Sequence, residues 1–240
     1  MKIGSNIDFF KKGFTQLLFP QVCVCCGNEV TKQERWLCPF CLEKRFIDAN
    51  PHNKMVSGEF ILPERVLLQH ALWRFDKGGH LQDLLHDLKY NRLTGVGHEL
   101  GAAMGRRLDH HPGFHELMKI YQDQVLMVPV PLHAWKLRKR GYNQAREIAR
   151  GMQEIYDIPI AKEGAVERII NTKTQTGFSL VQRMENIKNA FHVVHSNRIS
   201  DQLVLIVDDV FTTGATSFEL SLELLNHGAA AAGILTLAQA

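Results

Sequence analysis

The run Leu203-Val-Leu-Ile-Val-Asp-Asp-Val-Phe-Thr-Thr-Gly-Ala-Thr216 constrains this chain more than any other segment. Leu203–Val207 is continuously aliphatic, the pattern of a strand buried on both faces in the middle of a parallel sheet. Asp208 and Asp209 then fall at the carboxyl end of that strand, where open α/β sheets bind ligands. Thr212, Thr213, Gly214, Ala215 and Thr216 are small and polar enough for backbone N–H groups to converge on an anion. A helix starting near Thr216, with Phe218, Leu222 and Leu225 on one face, aims its positive end at the same place. This order of parts fits a turn that holds a phosphate and carboxylates that hold a sugar. The plainer alternative is a buried strand running into a capped helix with no ligand, but adjacent carboxylates at a strand end cost desolvation without a partner. No Gly-Lys-Ser/Thr follows the glycine, so the segment is not a P-loop.

Around this segment strands alternate with helices. Val66–Phe75 reads as a strand, and His80–Lys89 and His98–Leu108 as amphipathic helices. Val125–Leu132 is a strand broken by Pro129 and Pro131, Asn143–Tyr156 a helix, 165–170 a short strand and 183–190 a short helix. Leu203–Val207 and Gly233–Leu237 are strands on either side of the last helix. Such alternation predicts a parallel sheet covered on both faces. Residues 8–19 carry apolar groups at Phe10, Phe14, Leu17 and Leu18, a helical spacing that serves packing on the protein's own body or a membrane surface. Residues 48–65 are a polar, Pro- and Gly-containing linker. The 240 residues suffice for one large domain or a domain plus a small module. The longest apolar runs fall short of a membrane span, and the N-terminus lacks the features of a signal peptide, so a cytoplasmic location is expected.

All five cysteines lie between positions 23 and 41. Cys23-x2-Cys26-Gly27 and Cys38-x2-Cys41 form two knuckles separated by eleven residues, each presenting two thiolates to one tetrahedral metal. Structural zinc on Cys23, Cys26, Cys38 and Cys41 is the expected use; disulfides are the alternative, disfavoured in a reducing compartment. Cys25 is surplus to a closed four-ligand site. The twelve histidines are scattered without helical metal spacing and read as surface or core residues. A net charge of +3 identifies no partner, but its distribution is uneven: Lys136, Arg138, Lys139, Arg140, Arg146 and Arg150 face one acid, Glu147, across fifteen residues. That run is either a solvated face or a site for pyrophosphate or a nucleic-acid backbone.

The strand, the two acids and the Thr-Thr-Gly-x-Thr loop resemble the phosphoribosyl-pyrophosphate (PRPP) motif of type I phosphoribosyltransferases. Other segments are similar to motifs of the ComF (competence protein F) family: Leu88-Lys-Tyr90, Val128-Pro-Val-Pro-Leu-His, Arg140-Gly-Tyr-Asn-Gln-Ala145, and Arg168 followed by Thr172, Gln175, Arg183, Asn186 and Phe191. With the two knuckles they stand in that family's order over about residues 16–240; Cys25 and a longer insertion near 109–124 depart from it. The resemblance implies an α/β fold, a type I phosphoribosyltransferase-like parallel sheet flanked by helices, behind an N-terminal double zinc ribbon. The implied division is a helical lead over 1–19, the ribbon over 20–47, a linker over 48–65 and the phosphoribosyltransferase-like domain over 66–240.

The resemblance also implies roles. Asp208 and Asp209, the catalytic positions, accept hydrogen bonds from ribose hydroxyls, and Thr212, Thr213, Gly214, Ala215 and Thr216 cradle the 5′-phosphate. Mg²⁺ bridges pyrophosphate and ribose oxygens. Arg140, with Arg138 and Lys139 beside it, is the first candidate for the pyrophosphate, and Lys89 the second. Asn143 and Gln144 bond phosphate or base, or simply cap the following helix; Gln175 and Arg183 belong to a stretch that folds over the site. The family is associated with natural transformation, DNA uptake and handling of single-stranded DNA, which makes PRPP, single-stranded DNA and competence-machinery proteins the expected partners. Two other readings stay open: a salvage phosphoribosyltransferase moving a pentosyl group from PRPP to a nucleobase-like acceptor, and a catalytically silent DNA- or protein-binding scaffold. Residues 66–124, where a base-selecting hood belongs, carry no base-reading pattern.

Overall fold

The structure, a computed structural model, describes residues 21–30, 36–50, 61–171 and 187–240. The expected helical lead, the middle of the linker, and Thr172, Gln175, Arg183 and Asn186 lie outside the described residues. The chain divides into two compact units, Met1–Phe46 and Ile47–Ala240.

The larger unit is built on a four-stranded parallel sheet. Its strands are β1 (Val66–Arg74), β2 (Val125–Pro129), β5 (Leu203–Phe211) and β6 (Ala231–Gln239), in the order β1-β6-β5-β2. Every residue of β2 and all of Leu203–Val207 are buried, as a doubly covered parallel sheet requires. The helices are α1 (His80–Tyr90), α2 (Thr94–Leu108), α3 (Pro112–Tyr121), α4 (Ala134–Arg140), α5 (Gln144–Gln153) and α6 (Ala215–Asn226). A short antiparallel pair, β3 (Val166–Arg168) and β4 (Phe191–Val193), stands apart from the main sheet.

The two faces are covered by different helices. Val204 and Ile206 of β5 join Leu220 and Leu224 of α6 and Phe191 and Val193 of β4 in one apolar cluster. Helix α5 packs on β2 and β5, and against α2. The α2–α5 crossing is very close: a methyl added at Gly101 would lie 1.9 Å from the Ile148 carbonyl oxygen, and one at Gly151 1.8 Å from that of His98. The loop after β2 therefore leads to a helix on one face and the loop after β5 to a helix on the other. Their adjacent carboxyl ends form the crevice at which open α/β sheets bind ligands.

Several expectations change in detail. Strand β5 continues to Phe211, so Asp208 and Asp209 lie within it; the pairing with β6 persists through Asp208↔Thr236 and Phe211↔Gln239. Leu222 of α6 is exposed, and the buried face carries Ala215, Ser217, Leu220, Ser221, Leu224 and Leu225. Phe218 turns back onto Phe211, ring centroids 5.7 Å apart, which rotates the stripe away from the spacing read in the sequence. The 109–124 insertion holds α3, with Pro112 in its first turn and the His111 ring accepting from Phe114 N–H at 3.2 Å. His111 and His70 are core residues with rings 5.0 Å apart, and burial lowers the His70 pKa to about 3. Among the described residues no helix is long and apolar enough to cross a membrane.

Gly151→Ala sets two effects against each other. Helix propensity alone favours alanine by about 1 kcal/mol, whereas forcing a methyl against a backbone carbonyl costs about 1–3 kcal/mol. Both neighbours here are backbone and cannot turn aside, so packing should win. A net loss of up to about 2 kcal/mol in urea unfolding is expected, and a gain in stability would refute the close crossing.

Candidate functional site

Asp208 and Asp209 sit side by side near the end of β5. Asp209 is buried and Asp208 partly exposed. The Asp208 carboxylate accepts a hydrogen bond from the Asp209 N–H at 2.8 Å. Lys89, in the last turn of α1, forms an ion pair with Asp209. The two acids are thereby driven apart electrostatically. Burial pushes the Asp208 carboxyl well above the ordinary carboxylate range, and the neighbouring Asp209 charge pushes it the same way. Burial acts upward on Asp209 too, but the Lys89 ammonium outweighs it and holds the pKa below the usual value. Burial depresses Lys89 and the Asp209 charge more than restores it, leaving the amine raised.

Further cations surround the pair. Arg140 acts on both Asp209 and Lys89; its guanidinium donates to the Gln144 carboxamide oxygen at 2.9 Å and lies over the Tyr90 ring. Arg168, on β3, lies over the Phe191 ring of the paired strand and feels the charge of Asp208. Lys136 has its pKa lowered by burial and by Arg168, Arg140 and Lys89. In the sequence Lys136 stands only within the basic run and Arg168 only within a family-like motif, neither with a ligand role of its own. The i,i+4 spacing of Lys136 and Arg140 on a helix was the available signal for the first; only the β3–β4 pairing reveals the second.

After β5 the chain turns at Thr212-Thr213-Gly214 into α6. Gly214 has φ +76°, and a side-chain carbon there would lie 2.4 Å from the Phe218 ring, so this turn requires glycine. Ala215 and Thr216 open the helix, where first-turn N–H groups have no helical acceptor. Asn143 behaves as a structural residue: its oxygen accepts from Ala145 N–H and its nitrogen donates to the Val130 carbonyl, each at 3.0 Å. Arg138 and Lys139 are exposed, unlike Arg140. Beside the carboxyl end of β2 lies a cavity of about 270 Å³, lined by Val128, Pro131, Leu132, Arg146, Val166 and Arg168 among others.

In the smaller unit the sulfurs of Cys23, Cys26, Cys38 and Cys41 all lie within 4.8 Å of one another. Cys26 and Cys38 are 3.6 Å apart, against the ~3.8 Å sulfur–sulfur edge of a tetrahedron with 2.3 Å zinc–sulfur bonds. Gly27, at φ +74°, lets its N–H return to the Cys23 carbonyl at 2.8 Å and closes the first knuckle. A π-helical turn, Cys41–Arg45, carries the last ligand. All five cysteines are free thiols, and Cys25 falls outside the group of four. The four are positioned to hold one metal ion, consistent with structural zinc.

Two measurements check these arrangements. Lys89→Met leaves Asp209 buried without its counter-charge, which should cost on the order of 2–4 kcal/mol at pH 7 because the pair is largely enclosed. Asp209 has a lowered folded pKa, so the pair's contribution exists above the unfolded carboxylate value and fades as pH falls below about 4. The gap between wild type and variant should therefore shrink in urea melts at pH 3; a gap constant with pH would contradict the ion pair. Zinc content, measured by atomic emission, should fall from about one ion per chain to near none in Cys38→Ser/Cys41→Ser. Zinc kept at the wild-type level would remove the four-thiolate site.

No family model matches the chain. It is 38% identical over 115 residues to Competence protein F of Haemophilus influenzae, a match covering 48% of this chain and 50% of that protein. It is 29% identical over 221 residues to DNA utilization protein YhgH of Escherichia coli, covering 90% of this chain and 89% of that one. A match to Competence protein ComFC of Bacillus subtilis is 26% identical over 114 residues, 47% of this chain and 44% of the relative. The chain thus spans about half the length of the two competence proteins in these matches and most of the Escherichia coli protein. With an α/β parallel sheet consistent with a phosphoribosyltransferase-like fold and a four-cysteine cluster consistent with a zinc ribbon, this chain is a homologue of the proteins named Competence protein F, ComFC and DNA utilization protein YhgH.

Proposed function

We propose that this protein binds PRPP, or a related sugar phosphate, through its α/β unit and serves DNA uptake and the handling of single-stranded DNA. The relatives' names, Competence protein F and DNA utilization protein, support the role in competence. The observation that carries the ligand is the acid pair at the end of β5, set in the crevice between β5 and β2, with Lys89, Arg140 and Arg168 acting on it and Lys136 beside those cations. Asp208 and Asp209 accept hydrogen bonds from the ribose hydroxyls. The loop from Thr212 to Thr216 gives its N–H groups to the 5′-phosphate at the positive end of α6. Arg140 and Lys89 supply charge to the pyrophosphate. Mg²⁺ travels with the ligand's own oxygens, since the described residues offer no cluster of three metal-binding groups outside the cysteines. The proposed division keeps the helical lead at 1–19, the zinc ribbon at 20–47, the linker at 48–65 and the sugar-phosphate domain at 66–240. Free thiols and a phosphorylated sugar ligand fit the cytoplasm.

A second reading, catalysed transfer, is favoured by the cavity beside β2, which has room for an acceptor next to Arg168. Displacement of pyrophosphate from C1 of PRPP passes through an oxocarbenium-like state and needs no protein nucleophile. The protein's part is to position the sugar, neutralise the departing pyrophosphate and exclude water.

Calorimetric titration of Mg²⁺–PRPP into the wild type and Asp208→Asn/Asp209→Asn distinguishes the outcomes. Binding by the wild type and at least tenfold weaker binding by the variant are expected, since lost charge-assisted hydrogen bonds are each worth about 1.5–3 kcal/mol. Equal binding by both, or none by either, would sink the ligand assignment. Pyrophosphate release in the presence of nucleobases reads transfer separately from binding.

A further inference from the structure

We propose that α4 and the end of α1 form a stacking surface for single-stranded nucleic acid, with Trp135 as its principal contact. The inference rests on the DNA-handling part of the function proposed above. No residue of α4 is buried. Its sequence, Ala-Trp-Lys-Leu-Arg-Lys-Arg, has four cations and no acid. Trp135 and Tyr90 are each 54% exposed, and each has a cation over its ring: Lys139 on Trp135 and Arg140 on Tyr90, both 5.5 Å from the centroid. Arg92 adds charge beside Gly141, where α4 ends.

Exposed aromatic faces set among cations suit a strand whose bases are free to stack and whose phosphates need neutralising. Duplex DNA hides its base faces and would use the cations alone. A lipid surface fits less well. Helix α4 is seven residues long, roughly 10 Å at the helical rise, and offers only Trp135 and Leu137 as large apolar groups, against the broad apolar face of a membrane-lying helix. The cations divide by helical position. Lys136 and Arg140, four apart, are half-buried near the acid pair, whereas Arg138 and Lys139 are exposed with Trp135. The strand-binding surface thus centres on Trp135, Arg138 and Lys139 and meets the sugar-phosphate site at Arg140, which lies over Tyr90.

The test uses the full chain and a fluorescein-labelled oligothymidylate followed by anisotropy across a salt series. Trp135→Ala should weaken binding by about tenfold, within the ~1–3 kcal/mol measured for base–aromatic stacking, and Trp135→Phe should recover most of the loss. Arg138→Gln/Lys139→Gln should reduce the salt slope by about 1.4, two contacts at ~0.7 each. An unlabelled duplex of the same sequence should compete less well than the single strand. Equal binding by wild type and Trp135→Ala would overturn the surface while leaving DNA handling intact. No binding by the wild type would remove DNA handling and the surface together. Wild-type binding to phosphatidylserine vesicles that is lost in Trp135→Ala, without binding to the oligonucleotide, would reassign the face to membranes.

Discussion

Two carboxylates placed side by side near the end of an internal strand repel each other and resist burial, and the larger unit is arranged around relieving that conflict. Lys89 reaches Asp209 from the last turn of α1, more than a hundred residues earlier in the chain. The ion pair separates the two acids: Lys89 draws the Asp209 pKa down, while burial and the Asp209 charge raise that of Asp208. Carboxylates whose pKa values are shifted by burial and a specific charge partner mark a candidate functional site. The arrangement also ties α1 to β5, so moving the helix exposes a buried charge.

This constraint accounts for what the sequence disclosed and what it withheld. The hydrophobic run Leu203–Val207, the acids and the glycine turn are local patterns, and each recurs in β5 and the start of α6. The end of β5 is not local, because residues 208–211 are held in the strand by pairing with β6. Helix α4 was hidden by its charge: with no buried residue it has no apolar stripe for a periodicity to reveal. Helix α3 begins at Pro112 and takes its cap from His111, a buried residue whose ring packs against His70 of β1. Arg168 approaches Asp208 only because β3 pairs with a strand more than twenty residues later. The acids and two of the cations beside them, Lys89 and Arg140, were therefore legible, whereas the approach of Arg168 was not.

The cysteine unit follows the opposite logic. Its four sulfurs converge through two tight local turns, so spacing alone carries most of the information. In units of this size a bound metal generally makes ligand binding part of folding, and the four sulfurs are positioned for one. Cys25 sits beside this cluster without completing it; it interacts with Cys41 and with the charge of Arg45. A thiol there has no coordination vacancy to fill in a tetrahedral site.

The basic run around α4 illustrates why a count of charges could not decide its use. Read as a line, Lys136 to Arg140 is one patch; wound into a helix, it splits. Residues four apart share a face, so Lys136 and Arg140 are half-buried together, within reach of Lys89, while Trp135 and Lys139 stack on the outside. Arg140 is drawn further in by Gln144 and Tyr90, which hold its guanidinium in place. Cations fixed by side-chain partners near buried acids suit a compact, highly charged ligand. Exposed cations beside an exposed indole suit a flexible polymer that supplies its own order. One seven-residue helix thereby presents two electrostatic surfaces, joined at Arg140, which lies over Tyr90.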